Sequence, residues 1–224
     1  MPEPRSRPTP KRTYYVKLTP TDALLVIDLQ NDFCPGGSIA IAGGNAVAAQ
    51  MAKAAAYFAE AQAPIYATQD WHPKEHASFR TKGGPWPPHC IQNTPGAALH
   101  PDLELPANAI VVKKGATSTK DAYSGFVDSN LEDQLIAAGI KRVVVGGLAT
   151  DYVVLNTVID TLDIGIETYV LTDAVDAMNI EPNDGLRALH LMQTTGATLI
   201  TLADLLTDVD GGSTSAIPTD NEQS

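Results

Sequence analysis

Short apolar runs alternate with helix-length segments along most of the chain, and that rhythm predicts an architecture before any single residue is considered. Ala23 to Leu29 is an almost unbroken apolar run, the pattern of a strand buried on both faces. A Gly-Gly turn and an alanine-rich helix over Asn45 to Ala61 follow it. Pro64 to Gln69 reads as a second strand and Ile110 to Lys113 as a third. Ser129-Asn130-Leu131-Glu132 has the spacing of a capping box and predicts a helix that stops at Gly139. Arg142 to Leu148 is a fourth strand, Tyr152 to Leu162 a helix ending near Gly165, and Thr168 to Leu171 a fifth strand. Leu186 to Thr194 predicts a helix closed by Gly196, and Thr198 to Leu205 holds the last strand. Strand, helix, strand in succession implies right-handed crossovers. The expected fold class is α/β, a three-layer α/β/α arrangement around a central parallel sheet.

The two ends break this rhythm. Residues 1–20 read as an N-terminal extension, 21–206 as the folded domain, and 207–224 as a flexible acidic and polar tail. Asp70 to Asn108 breaks it too, with a long stretch dense in Pro, Gly and His. Loops of that length are uncommon unless they carry function. In open parallel sheets ligands bind beyond the C-terminal strand ends. Asp28, Asp70, Lys114 and the turn Ala149 to Val153 all fall at such ends.

Composition narrows the partners. A chain of 224 residues with net charge -11 is a poor fit for a nucleic-acid groove or an anionic membrane surface. No apolar run is long enough to span a bilayer, and Met1 to Thr13 lacks the apolar stretch of a signal peptide. Cys34 and Cys90 are too few for a disulfide framework. A reduced, cytoplasmic protein is the expectation.

Three features carry candidate chemistry. Asp70 and His72 are two apart at the end of an extended run, so both side chains can share a face. His76 and His89 follow in the same long loop. One carboxylate with two or three imidazoles suits zinc, iron or manganese better than calcium or magnesium. Asp28 and Lys114, at neighbouring strand ends, make either a base-and-cation pair with perturbed pKa values or an ordinary ion pair. Gly146 to Tyr152 links a buried strand to a helix, leaving the first helical N–H groups facing the strand ends as an anion or oxyanion site.

Read together, these segments resemble the nicotinamidases of the isochorismatase-like hydrolase family. The resemblance rests on VIDLQNDFCPGGS (Val26 to Ser38), TQDWHPKEHASF (Thr68 to Phe79), WPPHCIQNTPGA (Trp86 to Ala97), KKGATSTKDAYSGF (Lys113 to Phe126) and GLATDY (Gly147 to Tyr152). It covers roughly Leu24 to Leu205. It implies the isochorismatase-like hydrolase fold and hydrolysis of nicotinamide to nicotinate and ammonia in NAD salvage. It also implies a divalent transition metal, zinc first with iron or manganese as alternatives, a small pyridine carboxamide as substrate, and a homo-oligomer. By motif position Asp28 resembles the family's base and Lys114 the cation that lowers the thiol pKa. Asp70, His72 and His89 fall on its metal ligands, and His76 on a histidine that ligates in some members. Phe33, Trp86 and Tyr123 match the aromatic residues around the ring. Leu148-Ala149 falls where the family carries a cis peptide, which implies an oxyanion hole at Ala149 and Val153.

One position departs from the pattern. The family reads GLATD, an aromatic residue or histidine, then the nucleophilic cysteine, and here that place is taken by Val153. Valine offers neither a lone pair nor a proton for Asp28 to take. Cys34 and Cys90 stand where members often carry additional cysteines, and both read as small buried packing residues. Val153 has three explanations: an engineered replacement, a natural loss that leaves a pyridine-binding pseudoenzyme, or direct attack by a metal-bound water. A vinyl-ether hydrolase of the isochorismatase type, which uses no thiol, is the alternative enzyme class. That branch lacks the Asp-His-His set which Asp70, His72 and His89 retain.

Overall fold

A computed structural model describes residues 17–207. The expectations for residues 1–16 and 208–224 lie outside the described residues. Six strands form one parallel sheet: β1 (Asp22–Ile27), β2 (Ile65–Asp70), β3 (Ile110–Lys114), β4 (Arg142–Leu148), β5 (Glu167–Asp176) and β6 (Thr198–Ile200). Their order is β3-β2-β1-β4-β5-β6, so the chain starts in the middle and winds outward in both directions. The helices are α1 (Gly44–Glu60), α2 (Leu131–Ala137), α3 (Leu155–Asp163), α4 (Asp184–Thr195) and α5 (Leu202–Leu206).

β1 shows why the sheet has two covered faces. Leu24 and Val26 point into one core with Met51 and Phe58 of α1. Ala23, Leu25 and Ile27 point into a second core with Leu131 of α2, Val158 of α3 and Met192 of α4. A period of two on a strand divides one apolar run between both cores, so every residue of β1 is buried. The three-layer α/β/α expectation therefore holds, and no described helix is long and apolar enough to cross a membrane.

Three local expectations need correction. The helix after Ser129 has no capping box: Asn130 caps α2 without a side-chain bond, while the Ser129 hydroxyl donates to the Gly125 carbonyl at 2.6 Å. The serine oxygen also accepts from the Leu131 N–H at 3.2 Å, so it ties the preceding loop to the start of α2 without forming the reciprocal box. The reciprocal box appears instead at Thr201 and Asp204, where it starts α5, so the apolar run after Thr198 is a three-residue strand followed by a helix. Finally, the segment from Tyr152 is not helical in the α sense at its start. One π-helical turn, Thr150–Val154, precedes α3 and widens the chain at the end of β4.

Candidate active site

The register of the sheet brings the chemistry together. Asp70, the last residue of β2, pairs in register with Lys114, the last residue of β3. Asp28 directly follows β1, whose Ile27 pairs with Gly147 of β4. That close approach requires glycine: Gly147 has φ 131, and a Cβ there would lie 2.1 Å from the Ile27 carbonyl oxygen. Asp28 itself adopts a left-handed backbone, φ 44, which turns the chain sharply out of the sheet.

Lys114 is wholly buried and is the hub of the site. Its Nζ donates to Asp70 Oδ1 at 2.6 Å and to the Ala122 carbonyl at 2.9 Å, and it lies 2.8 Å from Asp28 Oδ2. Thr68 on β2 donates to Asp28 Oδ1 at 2.6 Å. Asp28 Oδ2 is different: it pairs with the ammonium as an ion but accepts no aligned hydrogen bond. Burial pushes the Asp28 carboxyl up to about 6, against the pull of Lys114, and the charge of Asp70 pushes the same way. Burial acts on Asp70 too, but there Lys114 and His72 overcome it and hold the carboxyl well below its usual range. The lysine, flanked by two carboxylates that outweigh its desolvation, stays protonated with its pKa raised. Two carboxylates in one cluster are thus driven in opposite directions, which is how acid–base roles are separated at neutral pH.

Asp70, His72 and His89 form the metal-compatible group, each offering one atom within 4.8 Å of the others, and all three are buried. The imidazoles are oriented for this. His72 Nδ1 meets the Gly115 carbonyl at 2.9 Å and His89 Nδ1 the Pro87 carbonyl at 2.8 Å, which leaves both Nε2 atoms available as donors of a lone pair. Gly115 is another obligatory glycine: at φ 59 it packs so closely that a Cβ would come within 2.5 Å of the His72 ring. The donor set therefore fits a divalent transition metal. His76 is not brought into the group. Its ring stacks on His72 at 4.0 Å, but Nδ1 meets the Ser78 hydroxyl at 2.7 Å and Nε2 the Lys120 carbonyl at 2.8 Å, so both nitrogens are already engaged.

Beside these groups lies a pocket of about 450 Å³. Asp28, Asp70 and His89 line it at the polar end, while Phe33, Trp86, Tyr152 and Met178 supply apolar walls. The Trp86 and Tyr152 rings meet edge to face at 5.6 Å, and Phe33 contacts the His89 ring at 5.6 Å. Ala149 and Val153 also line the pocket, and the Leu148–Ala149 peptide is cis. Tyr123 is the expectation that the structure does not bring in. It is 49% exposed, and Tyr152 provides an aromatic wall instead. Lys114 is held by the carbonyl of Ala122, and the chain then carries Tyr123 outward.

Tyr152, Thr68 and Gln30 are contributors missed by sequence reasoning. Tyr152 stands in GLATDY, where its place at a strand-to-helix turn hides its role as a wall. Gln30 is buried and clamps Asp70 through its backbone, accepting from Asp70 N–H and donating to Asp70 C=O, both at 2.8 Å. A lone Thr or Gln next to a carboxylate leaves no signal in sequence. Cys34 and Cys90 are both buried free thiols, as expected of packing residues. Burial raises the Cys34 thiol to about 11 and the Cys90 thiol well above its ordinary value, so neither is poised as a thiolate.

A parallel α/β/α sheet with a buried Asp–Lys pair, an Asp-His-His group and an aromatic pocket at its C-terminal edge defines a class of small-molecule hydrolase scaffold. Residues 22–204 match the isochorismatase domain, and the chain belongs to the isochorismatase family. Among its relatives, it is 39% identical over 206 residues to the nicotinamidase of Escherichia coli K12, covering 83% of this chain and 97% of that protein. The crystal structure of the pyrazinamidase of Pyrococcus horikoshii in complex with zinc is 43% identical, with a TM-score of 0.78 over 81% of this chain and 99% of that one. A nicotinate complex of PnC1 from L. infantum is 34% identical, with a TM-score of 0.79 over 86% of this chain and 99% of that one.

Proposed function

We propose that this chain is a nicotinamidase-type amidohydrolase scaffold, built to bind nicotinamide and convert it to nicotinate and ammonia, whose turnover is abolished or strongly impaired by Val153. The single observation that carries this reading is the coexistence of an intact Asp28–Lys114–Asp70 cluster with an aliphatic side chain on the same pocket wall. Asp70, His72 and His89 are the residues to hold a divalent transition metal, zinc first, with iron or manganese as alternatives that the same donor set accepts. When bound, that ion supplies a Lewis-acidic anchor for the ligand.

The chain's own residues take the remaining roles. Phe33, Trp86 and Tyr152 enclose a flat ring, and Ala149 and Val153 supply backbone N–H groups to a developing oxyanion. Asp28 is positioned as the base. What it lacks is an acid to deprotonate, because a valine Cβ carries only methyl groups where the thiol belongs. A cytoplasmic, homo-oligomeric enzyme of NAD salvage completes this reading.

The test is ammonia release from nicotinamide, measured for this chain beside Val153→Cys. The parent is expected to be slow or silent and the variant faster by on the order of a thousandfold or more. A fast parent would sink the nucleophile assignment and favour attack by a metal-bound water. A cysteine variant that binds ligand yet stays silent would leave a pyridine-binding pseudoenzyme.

A further inference from the structure

The part of the pocket wall that carries Met178 is held differently from the rest. Met178 lies two residues past the end of β5 and lines the pocket, half-buried against the first core. Its chain neighbours Ala177 and Asn179 line a second, open recess of about 650 Å³, which Thr150 of the π-helical turn also lines. The 177–179 segment is therefore a partition between two spaces, with open room on one side of it. Asp151 ties this partition to the turn that carries Val153. Its Oδ1 accepts from the Met178 N–H at 3.0 Å and its Oδ2 from the Asn179 N–H at 2.8 Å. Asn179, left-handed at φ 49, then turns the chain away, and its Oδ1 accepts from the Gly185 N–H at 3.0 Å near the start of α4.

We propose that Asp151 is a positioning residue that sets the width of the pocket: it holds Met178 on the wall and thereby keeps out ligands whose ring system is larger than a single six-membered ring. This rests on the pyridine-binding reading above and goes further by naming the residues that limit ring size. Two adjacent N–H groups need two acceptors, and a carboxylate supplies both with charge-assisted bonds. Asparagine has the same shape but only one acceptor, and its NH₂ group would face an N–H. Once the clamp is lost, the segment has the recess to move into, and Met178 leaves the pocket with it. Tyr152 and Val153 line the same pocket from the turn that bears Asp151, so the clamp fixes the Met178 wall relative to both. A second fused ring has to be accommodated along these apolar walls, because Asp28, Asp70 and His89 occupy the polar end.

The experiment is titration calorimetry on the metal-containing chain with nicotinamide and quinoline-3-carboxamide, which carries the same carboxamide on a fused two-ring frame. The parent is expected to bind nicotinamide about tenfold or more tighter. Met178→Ala should cut that ratio by about fivefold, and Asp151→Asn by a similar factor. The double variant should go no further than either single one, since the same wall can be removed only once. A purely structural role for Asp151 would weaken both probes alike and leave the ratio unchanged, and that result overturns the proposal. So does a double variant in which the two shifts multiply, or a parent that binds both probes equally, and each of these leaves the pyridine pocket standing. If neither probe binds the parent, the pyridine reading falls and takes the proposal with it. Should Asp151→Asn fail to fold, Met178→Ala is read together with hydrogen exchange on the parent. Slowing of the Met178 and Asn179 N–H groups by about tenfold or more supports the clamp, and exchange at the rate of an open chain overturns it.

Discussion

The two halves of the active-site wall have been kept to different standards. On one side, β1, β2 and β3 deliver Asp28, Asp70 and Lys114 into a wholly buried ion cluster that costs desolvation energy and is stabilised only while every partner stays in place. On the other, the π-helical turn after β4 presents Val153, a residue that packs against Val154 and Val158 in the second core and asks for nothing in return. A buried ion cluster resists loss of a single member, because each deletion strands a charge. A buried thiol can become a valine of similar volume with little effect on folding. On the function proposed above, chemistry at this site is lost most easily at position 153, and the costly parts survive it.

The sharpest way to break that contrast is to restore the thiol and then remove the base. If the intact half is still competent, Asp28→Ala in the Val153→Cys background should remove the gain in ammonia release, by on the order of a hundredfold or more. A double variant that stays fast would show that Asp28 is not the base. Next in size is the cost of breaking the cluster itself. Lys114→Ala leaves Asp28 and Asp70 facing each other in the dry interior and should lower stability by about 3–5 kcal/mol, whereas Val153→Cys should change it by less than about 1.5 kcal/mol. Urea denaturation of the two variants measures the difference, and equal effects would mean that the two sides are not held to different standards.

The metal group makes a smaller, cleaner comparison. His72→Ala should reduce bound transition metal from about one ion per chain to a small fraction, while His76→Ala should leave most of it, since both nitrogens of His76 already have partners. Metal analysis of the purified variants settles it, and full occupancy without His72 would refute the ligand set. The smallest expected effect lies in the ring pocket. Trp86→Ala should weaken nicotinamide binding about tenfold, and Tyr123→Ala, at an exposed position, by less than about twofold. A larger loss at Tyr123 than at Trp86 would mean that this exposed side chain closes over the ligand.

Much of this site was legible without coordinates, and the reasons are local. Strand ends are readable because an apolar run stops at a polar residue, and Asp28, Asp70 and Lys114 each stand at such a stop. The Asp70–His72 spacing is readable because extended chain puts alternate side chains on one face. Elements whose ends depend on competition between nearby groups were read less well. Ser129 had the spacing of a cap but bonds backward to Gly125, and Thr201 with Asp204 formed the box that Ser129 did not. β5 runs to Asp176, well past Leu171, because pairing with β4 resumes beyond an irregularity at Val145 to Gly147.

What the sequence determined by itself is the parallel α/β/α fold, the order of the family-like motifs, and a valine at position 153, all of which follow from residue type and spacing along one dimension. What only the tertiary structure decided is who touches whom across strands. The Asp28 and Asp70 carboxyls are driven in opposite directions because burial prevails at Asp28 while Lys114 and His72 together overcome it at Asp70, and His72 and His89 are aimed by carbonyls of Gly115 and Pro87. Tyr152 rather than Tyr123 lines the pocket wall, and the Lys114 ammonium lies between Asp28 Oδ2 and Asp70 Oδ1. Such choices depend on distances of two or three ångströms between segments tens of residues apart, and those distances exist only once the sheet register has been set.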